Sequence, residues 1–147
     1  MQPKRIRPLA LGLFLHDGKL LVFEGHDPVK GQTFYRPLGG GIEFGEYGHQ
    51  ALAREMQEEL DAEVTDIRFL GTIQNIFSFR GRQGHEIVLL YEGRFAEPSF
   101  YERQTMTGND NGIPIEVSWK PLVDFENGAL LVPRELLGFL KQDDRSA

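Results

Sequence analysis

The chain has 147 residues, 40% of them hydrophobic and 11 of them Phe, enough for the core of one compact domain over residues 1–147. A formal net charge of −6 excludes a nucleic-acid polymer as the main partner, because no basic stripe would displace its counterions. With no Cys, disulfides and thiolate metal centres are ruled out, which fits a reducing cytoplasm. The opening MQPKRIRPLALGLFLHDGK joins basic charge to an apolar run. That run is short, interrupted and strand-like, so it is not read as a signal peptide. No stretch reaches the length of a membrane span.

Ile6 to Leu15 predicts a strand, His16-Asp17-Gly18-Lys19 a hairpin turn, and Leu20 to Glu24 the return strand. Gly25 to Gln32 reads as a loop, and Thr33 to Leu38 as a short strand carrying Tyr35 and Arg36. Arg36 is the basic side chain best placed to steer an anion, with a strand-edge charge as the competing reading. A Gly-rich loop at Gly39 to Gly41 then leads toward a helix. Its three glycines let backbone approach a bound group because no Cβ intrudes. Val64 to Arg80 and His85 to Phe95 alternate as a long hairpin about Arg80-Gly81-Arg82-Gln83-Gly84. In it, Phe77, Phe79 and Tyr91 are read first as packing residues. Glu97 to Gly112 reads as loop with one helical turn at Phe100 to Gln104, and Ile113 to Trp119 as a strand. Pro133 to Lys141 closes the chain as a helix with Leu136, Leu137 and Leu140 inward, followed by a frayed tail at Asp143 to Ala147. Strands outnumber helices, so the class is α+β.

The central helix carries Arg54-Glu55-Met56-Gln57-Glu58-Glu59. Glu55, Glu58 and Glu59 stand at i, i+3 and i+4, so their carboxylates share one face. At about 100° per residue that face borders the apolar stripe of Leu52, Ala53, Met56 and Leu60. Three Glu on a helix are usually a solvated face. Two costs oppose that reading: mutual repulsion of about 0.2–0.5 kcal/mol per pair, and the unfavourable dipole near a helix C-terminus. A divalent cation removes both, and hard carboxylate oxygens suit Mg²⁺ or Mn²⁺.

Gly40, Glu46 and the run Arg54 to Ala62 together resemble the Nudix box of the Nudix hydrolases, with one departure. Asp61 stands where the family has glycine, a position expected to end the helix in a left-handed conformation that Asp tolerates. The resemblance implies an α/β/α sandwich around a mixed sheet. It also implies Mg²⁺-dependent (or Mn²⁺-dependent) hydrolysis of a pyrophosphate bond in a nucleoside diphosphate linked to another group. Metal ligands would be Glu55, Glu58, Glu59 and the Gly39 carbonyl, with Glu46 supporting them and Arg54 orienting a carboxylate. Glu55 is the favoured general base, with Glu58 and a downstream acid, Glu116, as alternatives; Glu102 and Asp110 rival Glu116. Tyr35, Arg36, Gly40 and Gly41 would meet the substrate, and a homodimer stays open.

The family's companion features for ADP-ribose, diadenosine polyphosphates, coenzyme A and NADH are missing. That leaves nucleoside triphosphates, oxidised ones included, or nucleotide sugars as expected substrates. The other readings are a catalytically silent nucleotide-binding or regulatory module, and an isomerase, which the lack of Cys disfavours.

Overall fold

Alternating apolar residues on the first strands must bury one face, and two separate cores take them up. A computed structural model describes residues 4–140. The strands are β1 (Arg7–Leu13), β2 (Leu15–His16), β3 (Lys19–Asp27), β4 (Gln32–Gly41), β5 (Val64–Phe79), β6 (Arg82–Phe95), β7 (Thr105–Asp110) and β8 (Ile113–Pro121). They pair in the order β5-β6-β1-β4-β3-β8-β7, with β2 on β3. β1 and β6 run parallel and the other pairs antiparallel, so the sheet is mixed.

Helix α1 (Gly48–Leu60) covers one face: Ala51, Leu52 and Met56 pack with Ala10, Phe14, Leu21, Leu38, Val117 and Trp119. The other face buries Leu9, Leu11, Leu13, Val88 and Leu90 against Phe125 of α2 (Leu122–Glu126) and against Leu136 and Leu140. Residues 136–140 are helical. The result is an α/β/α sandwich, as expected. β4 belongs to both halves of the sheet. Its residues up to Pro37 pair with β3, and those from Leu38 pair with β1.

Several boundaries differ from the sequence expectation. Residues 25–27 extend β3 instead of looping out. The glycines Gly39 to Gly41 end β4 instead of forming the loop, because they pair with Leu11, Ala10 and Leu9 of β1. Thr105–Asp110, read as loop, is strand β7. Its Gly and Asn depress strand propensity, but the tight turn at Asn111 and Gly112, both at positive φ, returns it onto β8. The turn expected at Phe100 to Gln104 is a 3-10 helix at Pro98–Tyr101, where the Glu97 side chain accepts from Ser99 N–H at 3.2 Å. In α1, Ala51 is fully buried where Ala53 was expected to be, and Glu59 turns inward. The expected tail lies outside the described residues.

Asp61 ends α1 with φ 52° and ψ 43°, the left-handed conformation expected of the glycine it replaces. Its N–H donates to Gln57 O at 3.0 Å, and Ala62 N–H donates to Met56 O at 3.2 Å. Asp61→Gly relieves the Cβ strain at the cost of an exposed bond from Gln57 Nε2. It is expected to stabilise the fold by about 0.5–1 kcal/mol, with Asp61→Val destabilising it. Urea unfolding of both variants checks the sign.

Candidate active site

Helix α1 starts at Tyr47, whose N–H donates to Gln50 Oε1 at 2.9 Å, and its acids cluster toward the C-terminal end. From that end the three glutamates fan from water into the core. The Glu58 side chain is 58% exposed and that of Glu55 16%, and residue Glu59 is 9% exposed.

Arg54 organises them. Its Nε and Nη2 grip both oxygens of Glu46 at 2.9 and 3.0 Å, and Nη2 also donates to the Gly41 carbonyl at 2.9 Å. Nη1 turns the other way, to Glu55 Oε1 at 3.0 Å and Glu58 Oε2 at 3.3 Å. One planar guanidinium thus ties the end of β4, the connecting loop and two acids of the helix together, a fork geometry that Lys lacks. The bond to Glu46 raises the Arg54 pKa further. Conversely, Arg54 and the Glu43 N–H hold the Glu46 carboxyl below its ordinary range.

Glu55 lies flat on the strand end: a Cβ built on Gly40 would fall 2.4 Å from its Cδ. Gly39, at φ 146°, approaches β1 so closely that a Cβ would sit 2.0 Å from Ala10 O. Gly41 supplies the carbonyl that Arg54 binds.

Glu59 is the anomalous member. Its Oε2 is buried and has no hydrogen-bond partner. Burial first, then the charges of Glu55 and Asp110 and a hydrogen bond with Glu55, push its pKa up to about 9. A buried carboxyl among like charges holds its proton for this reason. The donor set suits a hard divalent cation, which would remove the repulsion and partner the orphaned oxygen. Among the described residues, no group of three acids already stands at coordinating geometry.

The sheet sorts the remaining predicted residues. On β7 and β8 the residues Met106, Ile115 and Val117 face α1. A Cβ on Gly108 would meet Glu59 O at 3.2 Å. Asp110, two residues beyond Gly108, keeps that face and acts on Glu59. Glu116 falls between Ile115 and Val117 and is exposed on the opposite face, so the downstream acid near the cluster is Asp110. Glu102 is exposed at the end of the 3-10 helix. Arg36 does not join the box acids: Nη2 donates to Glu86 Oε1 at 3.1 Å. Tyr35 donates to Glu24 Oε1 at 3.0 Å and packs against Phe125 in the other core. Sequence reading passed over Glu86 and Asn75, although a Glu in phase with Val88 and Leu90 was a visible signal of a buried acid.

The site thus joins clustered carboxylates and one orienting arginine to a glycine strand end within a mixed-sheet sandwich. The NUDIX domain family model matches residues 6–133, and the chain belongs to that family as a Nudix hydrolase. Solved structures share the fold. A MutT protein from Methanosarcina mazei is 18% identical, with a TM-score of 0.62 over 99% of this chain and 98% of that one. A Nudix hydrolase from Nitrosomonas europaea is 16% identical, with a TM-score of 0.63 over 97% and 90%. A MutT Nudix hydrolase from Burkholderia pseudomallei is 20% identical, with a TM-score of 0.55 over 82% and 86%. No curated protein sequence matches significantly. Among the described residues no helix is long and apolar enough to cross a membrane.

Folding raises the Glu59 pKa from 4.5 to about 9, so the folded protein keeps a proton that the unfolded chain releases in between. In chelator, stability is therefore full below pH 4.5 and falls as pH rises toward 9. Glu59→Gln abolishes that slope, and Mg²⁺ reverses the alkaline loss. Thermal melts across this range check it; a wild-type profile parallel to that of the variant refutes it.

Proposed function

We propose that this chain, as one domain, hydrolyses the pyrophosphate bond of a nucleoside diphosphate linked to another group. The reaction depends on Mg²⁺, with Mn²⁺ able to replace it. The observation that carries the reading is the buried, unpartnered Glu59 oxygen beside Glu55. A stable fold retains such a group at a cost of a few kcal/mol unless a ligand compensates it.

Glu55, Glu58 and Glu59 hold the cation, with Asp110 the acid nearest to them from the sheet side. A divalent ion supplies neutralisation of the phosphoryl oxygens and a lower pKa for water. The protein's own residues do the rest. Arg54 fixes the Glu55 and Glu58 carboxylates and keeps the Gly41 carbonyl turned toward the helix. Gly40 leaves the approach to Glu55 open, since any side chain would occupy that space. Glu55, bonded to Arg54 and adjoining Glu59, takes the proton of the attacking water.

Two experiments separate the roles. With Mg²⁺ and a panel of nucleoside triphosphates and nucleotide sugars, wild type releases product and Glu55→Gln loses roughly 10²–10⁴-fold in kcat. Full activity in Glu55→Gln removes it as base, and tight binding without product favours a silent nucleotide-binding module. Mn²⁺ titration followed by electron paramagnetic resonance reads the acids without turnover. Asp110→Asn weakens binding by about tenfold or more, whereas Glu116→Gln matches wild type.

A further inference from the structure

The two outer strands of the sheet are treated differently. In the order β5-β6-β1-β4-β3-β8-β7 the free edges among the described residues belong to β5 and β7. A free edge shows unpaired N–H and C=O groups to any other strand, so proteins shorten it, bulge it or charge it. β7 is short, six residues ending in Asn109 and Asp110. β5 has 16 residues, and only its first half is guarded. There the pairing with β6 slips between Thr65 and Arg68 and again between Phe69 and Gly71, Asp66 stands at φ 53°, and Arg68 adds a charge.

From Gly71 onward the guards stop. Gly71 to Phe79 pairs with Leu90 to Arg82 of β6 without a break. This stretch, GTIQNIFSF, holds no charged residue and no Pro, and its Thr, Ile and Phe favour strands. Ile76 near its middle is 63% exposed. Among the described residues no strand pairs with its outer side. A regular, neutral edge about 30 Å long is a template for one more strand.

The same stretch is complementary to itself. Its centre is Asn75, and antiparallel pairing about a two-fold axis there sets Gly71 opposite Phe79 of a second copy, Ile73 opposite Phe77 and Gln74 opposite Ile76. Each of these contacts occurs twice, as a two-fold interface requires. Period-two alternation keeps like faces together. Ile73 is buried in the second core, and half-buried Phe77 shares its face. On the opposite face the two Ile76 side chains become diagonal neighbours, about 7–8 Å apart across the axis. No like charges meet within the stretch.

We propose that the chain forms a two-fold homodimer in which Gly71 to Phe79 pairs with the same segment of a second copy, joining two sheets into one. Main-chain hydrogen bonds supply the affinity of such strand addition. One strand edge, about 30 Å by 10 Å, covers on the order of 300 Å² per copy. A standard interface covers roughly 800 Å², so this dimer is weak and concentration-dependent. It stands independently of the hydrolase reading.

Sedimentation velocity between about 1 µM and about 1 mM reads the association. The expected result is monomer at the low end and dimer at the high end. Ile76→Lys, and equally Ile76→Glu, places like charges across the axis and weakens association by roughly tenfold or more. An equimolar mixture of the two variants recovers the dimer, because Lys then meets Glu. Amide hydrogen exchange on the wild type needs no variant: the outward amides of Gly71 to Phe79 slow as concentration rises, and those of β7 do not. A monomer at every concentration, a dimer that Ile76→Lys leaves intact, or a dimer whose β5 amides exchange as fast as the monomer's overturns the assembly. A mixture that stays monomeric overturns the axis at Asn75. Protection of these amides in a monomer at every dilution means that the edge is covered within one chain, and overturns the dimer as well.

Discussion

Everything in the site follows from the difficulty of keeping four glutamates close together, three on the second half of α1 and Glu46 in the loop before it. Glu46, Glu55 and Glu58 are made tolerable by a single guanidinium. Because Arg54 is planar and forked, it satisfies them in fixed directions and also captures the Gly41 carbonyl. Glu59 is beyond its reach and stays neutral by burial. The cluster is thus a compromise: three acids held by arginine, one by a proton.

The fold makes this compromise possible by where it puts glycine. Gly40 accepts the Glu55 carboxylate on its bare face, and Gly39 lets β4 close onto β1. β4 is the shared element: its glycine end meets α1, while its other half carries Arg36 to Glu86 and Tyr35 to the second core. The two groups also have different characters. The box acids repel one another, whereas Glu86 is charge-compensated by Arg36.

Much of this was legible in the residues. The i, i+3, i+4 spacing of Glu55, Glu58 and Glu59, the Arg before them and the left-handed role of Asp61 are local properties of one helix. They depend on a 3.6-residue period that the chain cannot escape. The family resemblance rested on the same residues and gave the sandwich correctly. Less legible were the ends of strands. Gly39 to Gly41 and Thr105 to Asp110 have poor strand propensity, and only their partners on β1 and β8 recruit them into the sheet.

The choice among downstream acids shows the limit most clearly. Glu102, Asp110 and Glu116 are equivalent as letters; alternation on paired strands sends Asp110 toward α1 and Glu116 away. By itself the sequence determined the helix, its cap, its acidic face and the family, because these need no contact beyond a few turns. Tertiary structure alone decided that Glu59 is buried and that Arg36 serves Glu86, since burial and pairing between residues 50 apart depend on how the sheet closes.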